Sequence, residues 1–284
     1  MNKNLKGSIM LLITAIIWGF AFVAQSVGID TVGPFAFNGI RSVIGGLVLI
    51  PVILIMNKGN LKKVVTKDAL IGGLCCGACL FVASTFQQWG IMGSTVGKAS
   101  FITALYVVIV PILGLFVGKK ISVKIVISVV VSLVGLYLLC MKDSFAMSRG
   151  DLLLLACAFF FSIHILVIDH FSPKADGVVI SCIQFFVCGI LCLIAMAFTE
   201  HPTWEMIYEG RAAILYAGVL SCGVAYTLQV VFQKDVDPSS ASLILCLESV
   251  FGAIGGWLLL GQTLSQREII GCLMMFAAIV LAQL

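Results

Sequence analysis

Glu248 is the residue in this sequence best placed to do chemistry. It is a lone carboxylate ten residues past Pro238, with uncharged stretches on both sides. A carboxylate in such surroundings either takes up a proton or finds a cation. His164, in the middle of another uncharged run, is a second candidate proton carrier, because imidazole titrates near neutral pH. Gln87 and Gln229, with Tyr106, Tyr226 and Trp18, supply amides, hydroxyls and ring faces suited to a small polar solute. The same glutamines would serve equally as hydrogen-bonding glue between helices. Arg41 also lies inside an apolar run, where it either contacts a ligand or pairs with carboxylates or carbonyls to hold helix ends. No His-Glu-x-x-His, no Gly-x-Ser-x-Gly, no nucleotide-binding glycine loop and no pair of aspartates in the apolar runs is present. Hydrolytic and ATP-driven chemistry therefore lack their usual residues. The pattern calls for no cofactor and no metal. All eleven cysteines sit in apolar runs, where the thiol packs as a small hydrophobe.

The elements that must position these groups follow from charge. Only 11% of the 284 residues are charged and 61% are hydrophobic, with a mean hydropathy of +1.17, whereas soluble domains carry roughly 25% charged residues. Too little charge remains to cover an aqueous surface. Uncharged runs recur from Gly7–Ile29 to Ile269–Leu284, close to the roughly 20 residues that a helix needs to cross a bilayer. A membrane barrel would instead alternate apolar and polar residues. The sequence thus predicts an all-α membrane protein of ten transmembrane helices with short connections and no soluble domain. With ten spans the loops alternate sides, and eleven lysines, from Lys3 to Lys234, fall on one side against four basic residues on the other. Basic loops stay inside, so both termini are expected in the cytoplasm of a multi-pass protein of the cell membrane. The net charge of +4 is accounted for by those loops and implies no nucleic-acid partner. Lys98 is expected to snorkel at the start of span four, and Asp169 and His170 to be solvated at the end of span six. The glycine pairs Gly45-Gly46, Gly72-Gly73 and Gly255-Gly256 read as helix-packing faces.

The second half of the chain repeats the first. Ala83, Thr85, Gln87, Ala99, Ser100 and Leu105 recur 142 residues later as Ala225, Thr227, Gln229, Ala241, Ser242 and Leu247, and Gly118 and Ser122 recur as Gly261 and Ser265. This divides the chain into two five-helix repeats, 1–143 and 144–284. Because five is odd, equivalent helices run in opposite directions, which makes an inverted repeat with its ligand site near the membrane midplane. The first span resembles a signal peptide but is expected to be kept, since its counterpart in Gly150–His170 would otherwise lack a partner.

At these residues the chain resembles the EamA-type branch of the drug/metabolite transporter superfamily. The resemblance runs through Trp18-Gly19-Phe20, Arg41, Lys98-Ala99-Ser100-Phe101-Ile102-Thr103 with Pro111, Leu247-Glu248-Ser249-Val250-Phe251, and Gly256-Trp257-Leu258-Leu259-Leu260-Gly261. It implies ten helices, a central cavity lined mainly by spans one, three, four, six, eight and nine, and export or exchange of small metabolites. Lys119 and Gln262 stand where that pattern has an acidic residue, and Val250 stands where span nine commonly has proline. A straighter ninth helix is expected from the last change.

The function expected is a secondary transporter of a small, amino-acid-like metabolite, working by alternating access. Its substrate-binding candidates are Trp18, Gln87, Tyr106, His164, Tyr226, Gln229 and Glu248. Glu248 and His164 are the candidates for proton coupling, with protons as the coupling ion, and Arg41 is a structural or substrate-facing charge. The partners are the bilayer and the solute, the protein being a monomer or weak dimer. A multidrug or cation efflux carrier is the alternative; a channel or an intramembrane enzyme fits less well, since a channel needs no inverted repeat and an enzyme needs residues absent here.

Overall fold

The computed structural model describes residues 3–59, 64–93, 96–141, 148–260 and 263–283. Among the described residues nine helices are long and apolar enough to cross a membrane. The tenth, Gln266–Gln283, follows them with Arg267 and Glu268 in its first turn. The protein is an all-α membrane protein, and no strand occurs among the described residues. The expected boundary between the halves at 143–144, and Lys62, Lys63, Lys142, Gly261 and Gln262, lie outside the described residues, as does the side chain of Lys98.

Local chemistry sets where each span begins. Ser122 caps span five (Val123–Cys140) by accepting from Ile125 N at 3.3 Å. Its repeat counterpart Ser265 does the same for the tenth helix, accepting from Glu268 N at 3.3 Å. Asp176 and Asp237 accept two backbone N–H groups each at the starts of spans seven (Gly177–Thr199) and nine. Such caps satisfy donors that a helix terminus cannot satisfy itself. Span two (Pro34–Met56) is fixed differently. The Glu200 carboxylate accepts from Phe35 N at 2.9 Å and Ala36 N at 2.8 Å, and Gly33, with φ +94, brings the chain in beneath it. A side chain at Gly33 would lie 2.8 Å from Glu200 Oε2, so this turn sets the depth at which Arg41 enters the bundle.

The helices pack with the symmetry that an inverted repeat demands. Spans two and seven pack together, as do spans five and ten. Span three (Lys67–Met92) against span six (Arg149–Phe171) is mirrored by span eight (Arg211–Asp235) against span one (Lys3–Val32). Spans three and seven are mirrored by eight and two, and spans four and six by nine and one. The glycine faces are in use: a methyl on Gly73 would meet Ile183 Cβ at 2.5 Å and one on Gly45 would meet Cys222 Cβ at 2.5 Å.

Two spans are broken at equivalent places. Span four consists of Val96–Ala104 and Tyr106–Phe116, parted at Leu105, and span nine of Pro238–Leu245 and Glu248–Leu260, parted at Cys246–Leu247. The straighter ninth helix expected from Val250 is therefore not found. The bend needs no proline there, because the chain tightens locally: Leu247 N donates to Ile244 O at 3.2 Å and Ser249 N to Cys246 O at 3.2 Å, both three-residue spacings. Leu105 N makes the same short turn to Ile102 O at 3.2 Å. Span eight carries a third irregularity, a π-helical stretch over Tyr216–Tyr226, of the kind that often marks functional sites. Thr14 Oγ1 reaches across from span one to Ala225 O at 3.0 Å at its end. Asp169 is not simply solvated, since Lys119 Nζ pairs with its Oδ2 at 2.7 Å. His170 Nε2 meets Lys174 Nζ at 2.6 Å.

Candidate functional site

The two breaks converge on the same point. Tyr106 opens the second half of span four and Glu248 the second half of span nine, and the Tyr106 hydroxyl donates to Glu248 Oε1 at 3.0 Å. These residues are 142 apart, the spacing of the repeat, so they are equivalents bonded to each other. A contact between equivalents must lie on the pseudo-two-fold axis. Next to it Ser100 Oγ donates to Ser249 Oγ at 2.7 Å. Discontinuous helices that meet in this way bring the positive ends of two half-helices near the midplane. The result is a polar spot in the middle of an apolar bundle.

A cavity surrounds this spot. Every one of the sequence-derived candidates lines it: Trp18, Gln87, Tyr106, His164, Tyr226, Gln229 and Glu248, and also Arg41. Helical spacing explains how span one contributes, since Trp18, Phe22 and Gln25 recur at four and three residues and share a face. Phe161, His164 and Ile165 do the same from span six. The lining comes from the six spans expected, with span two added through Arg41. Phe22, Gln25, Phe161, Ile165, Ser221 and Leu245 also line it and were not singled out from the sequence. The first four could have been found by extending helical spacing from Trp18 and His164. Ser221 owes its direction to the π-helical stretch, for which the sequence carries no period.

One wall is aromatic. Trp18 and Tyr226 have ring centres 4.4 Å apart, and Tyr226 is also edge-on to Phe185 at 5.7 Å and to His164 at 6.0 Å. His164 is buried and its Nε2 lies 3.0 Å from Gln184 Oε1. An amide oxygen only accepts, so Nε2 carries the hydrogen.

The polar groups divide into those that are satisfied and those that are not. Gln229 donates from Nε2 to Gln233 Oε1 at 3.0 Å, and Gln233 donates to Ile165 O at 2.7 Å, leaving Gln229 Oε1 buried with no partner. Its counterpart Gln87 makes no side-chain hydrogen bond among the described residues, whereas its neighbour Gln88 is tied to Gln25 Oε1 at 2.8 Å and Asn38 Oδ1 at 3.3 Å. Trp18 Nε1 and Arg41 Nε are likewise buried without a partner. Arg41 is 5% exposed and stands 5.4 Å from the centre of the Phe37 ring. Among the described residues no carboxylate pairs with it. An unpaired buried polar group costs roughly 1–3 kcal/mol and more when charged, a cost that these groups carry in this structure. Among the described residues no three His, Cys, Asp or Glu side chains are grouped to hold a metal ion.

Comparison with known proteins places this arrangement. Residues 5–141 and 148–284 each match the model of the EamA-like transporter family. A protein of Archaeoglobus fulgidus named "Uncharacterized transporter" is 31% identical over 283 residues, covering 99% of this chain and 87% of its own. "Uncharacterized transporter YoaV" of Bacillus subtilis is 23% identical over 271 residues, covering 93% and 92%. A crystal structure of 17% identity superposes with a TM-score of 0.80 over 98% of this chain and 96% of the other, a likeness of fold.

Proposed function

This chain belongs to the EamA-like transporter family, and we propose that it is a secondary carrier of a small, amino-acid-like metabolite. It works by alternating access around the cavity between the two repeats, 1–143 and 144–284. It sits in the cell membrane with both termini in the cytoplasm, as a monomer or weak dimer, and carries out export or exchange rather than a chemical conversion. Trp18, Gln87, Tyr106, His164, Tyr226, Gln229 and Glu248 bind the solute, and protons are the coupling ion, held by Glu248 with His164 as the second candidate.

The observation that carries this reading is the Tyr106–Glu248 hydrogen bond between repeat equivalents, inside a cavity with unpaired polar groups. Two halves of like sequence can exchange conformations, one exposing the cavity outward and the other inward. A carboxylate on the axis between them stays within reach of both sides. The Arg41 guanidinium, always charged, weighs against a carrier of simple cations.

The test works whatever the substrate is. Vesicles containing the purified protein are loaded with a whole-cell metabolite extract, and released solutes are identified by mass spectrometry. Saturable, protein-dependent release of a few small metabolites is expected. Release indistinguishable from that of protein-free vesicles would refute the reading.

A further inference from the structure

From the charges that face the cavity we infer that the solute is a small zwitterion held at both poles, its carboxylate by Arg41 and its cationic nitrogen by Glu248. This rests on the carrier reading above and names the substrate class of the same site. Arg41 is buried to 5% exposure, lines the cavity, has an unpartnered Nε and pairs with no carboxylate among the described residues. Glu248 is buried to 7% exposure, lines the same cavity and has one hydrogen bond there, from Tyr106. The cavity lining thus holds one carboxylate and one guanidinium, and among the described residues the two form no ion pair.

Their depths, in a cavity that both line, suit a small dipolar molecule. Arg41 lies seven residues into span two from Pro34, and Glu248 ten into span nine from Pro238, starting from opposite membrane faces. At about 1.5 Å per residue they stand about 10 Å and about 15 Å deep, so in an apolar core of about 30 Å their depths differ by only about 5 Å. Tyr226, in the aromatic wall, lines the cavity together with both charges. Arginine presents a planar fork of donors that fits a carboxylate. An ammonium group would complete Glu248, whose second oxygen receives nothing from Tyr106. A lone amine would meet repulsion from Arg41 and a lone acid repulsion from Glu248, whereas a zwitterion satisfies both. The carbon skeleton would lie against Trp18 and Tyr226, with Gln229 Oε1 as a further acceptor.

The test is a set of matched probes. Phenylalanine and leucine, and then the other common amino acids, are compared in exchange assays with the amine lacking the carboxylate and the acid lacking the nitrogen, such as phenethylamine and 3-phenylpropanoate. For at least one amino acid, both one-charge analogues should compete about tenfold or more weakly, the loss of one charge-assisted contact. Arg41→Gln should close the gap between that amino acid and its amine, and Glu248→Gln the gap between it and its acid. Arg41→Lys should restore part of the preference. Analogues that compete as well as the parent, or variants that lose all three probes equally, would overturn the clamp. So would release of other metabolites from loaded vesicles while no amino acid exchanges, which leaves the carrier standing. Should Arg41→Gln fail to fold, the probe series on the unaltered protein decides alone.

Discussion

Replacing Tyr106 with Phe removes one oxygen and leaves the ring in place, so it isolates the hydrogen bond that spans four and nine share on the axis. The donor is 4% exposed and the acceptor 7%, and they are 3.0 Å apart. Neither can trade its partner for bulk water. Hydrogen bonds between membrane helices average about 0.6 kcal/mol in double-mutant cycles, while a bond to an ionised group is worth about 1.5–3 kcal/mol. The measured coupling therefore reports the charge on Glu248. The cycle consists of Tyr106→Phe, Glu248→Ala, which removes the acceptor, and the double variant, with equilibrium unfolding in detergent as the assay. A proton-carrying Glu248 predicts a coupling of about 0.6 kcal/mol in acidic buffer, rising toward about 1.5–3 kcal/mol in alkaline buffer. A coupling near zero in both would deny the hydrogen bond. A coupling that ignores pH would remove Glu248 from proton transport.

Three further outcomes are expected. Gly271→Ala should lower stability in the same assay by about 1–3 kcal/mol, because its methyl would lie 2.5 Å from Gly135 O and 2.8 Å from Leu139 N, which are backbone atoms that move only if spans five and ten part. Gly252→Ala, where the nearest atom is 3.6 Å away, should stay within about 0.5 kcal/mol of the parent; equal stability of the two would deny that packing. Gln87→Ala and Gln229→Ala should each raise the half-saturating solute concentration about fivefold without loss of folded protein, the effect of about 1 kcal/mol for one lost hydrogen bond, and unchanged affinity in both would make them packing residues. A reporter fused after Leu284 should be active only in the cytoplasm, and activity only on the outer side would reverse the orientation.

The helices were legible because charge is scarce here and falls between runs, and the repeat because it is preserved in residues such as Gln87 and Gln229, Ser122 and Ser265. Repeat symmetry requires each contact between spans to have an equivalent but does not say which spans touch, so the pairing came from the structure. The break in span nine was not legible, because proline is the sequence signal for a broken membrane helix and Val250 lacks it. The actual cause is a short turn over Cys246–Leu247, assisted by Cys246 Sγ bonding to Leu243 O at 3.1 Å, and thiols in apolar runs read as packing. The candidate residues of the cavity were found by rarity, since a polar side chain within an apolar run has few uses. Leu245 lines the same cavity but is an ordinary membrane residue and carried no signal. The Lys119–Asp169 pair was hidden as well. A lysine where the family pattern has an acid reads as a local departure, and its partner lies 50 residues away on another span.

If the cavity opens to one side at a time, counterflow must show an overshoot. Vesicles loaded with a released metabolite at high concentration are diluted into a trace of the same compound in labelled form. A carrier whose loaded site alternates must accumulate label transiently above its final level, and that overshoot is expected of the unaltered protein. A monotonic rise of label to equilibrium, at a rate indifferent to the internal solute, would mean a channel and rule out alternating access.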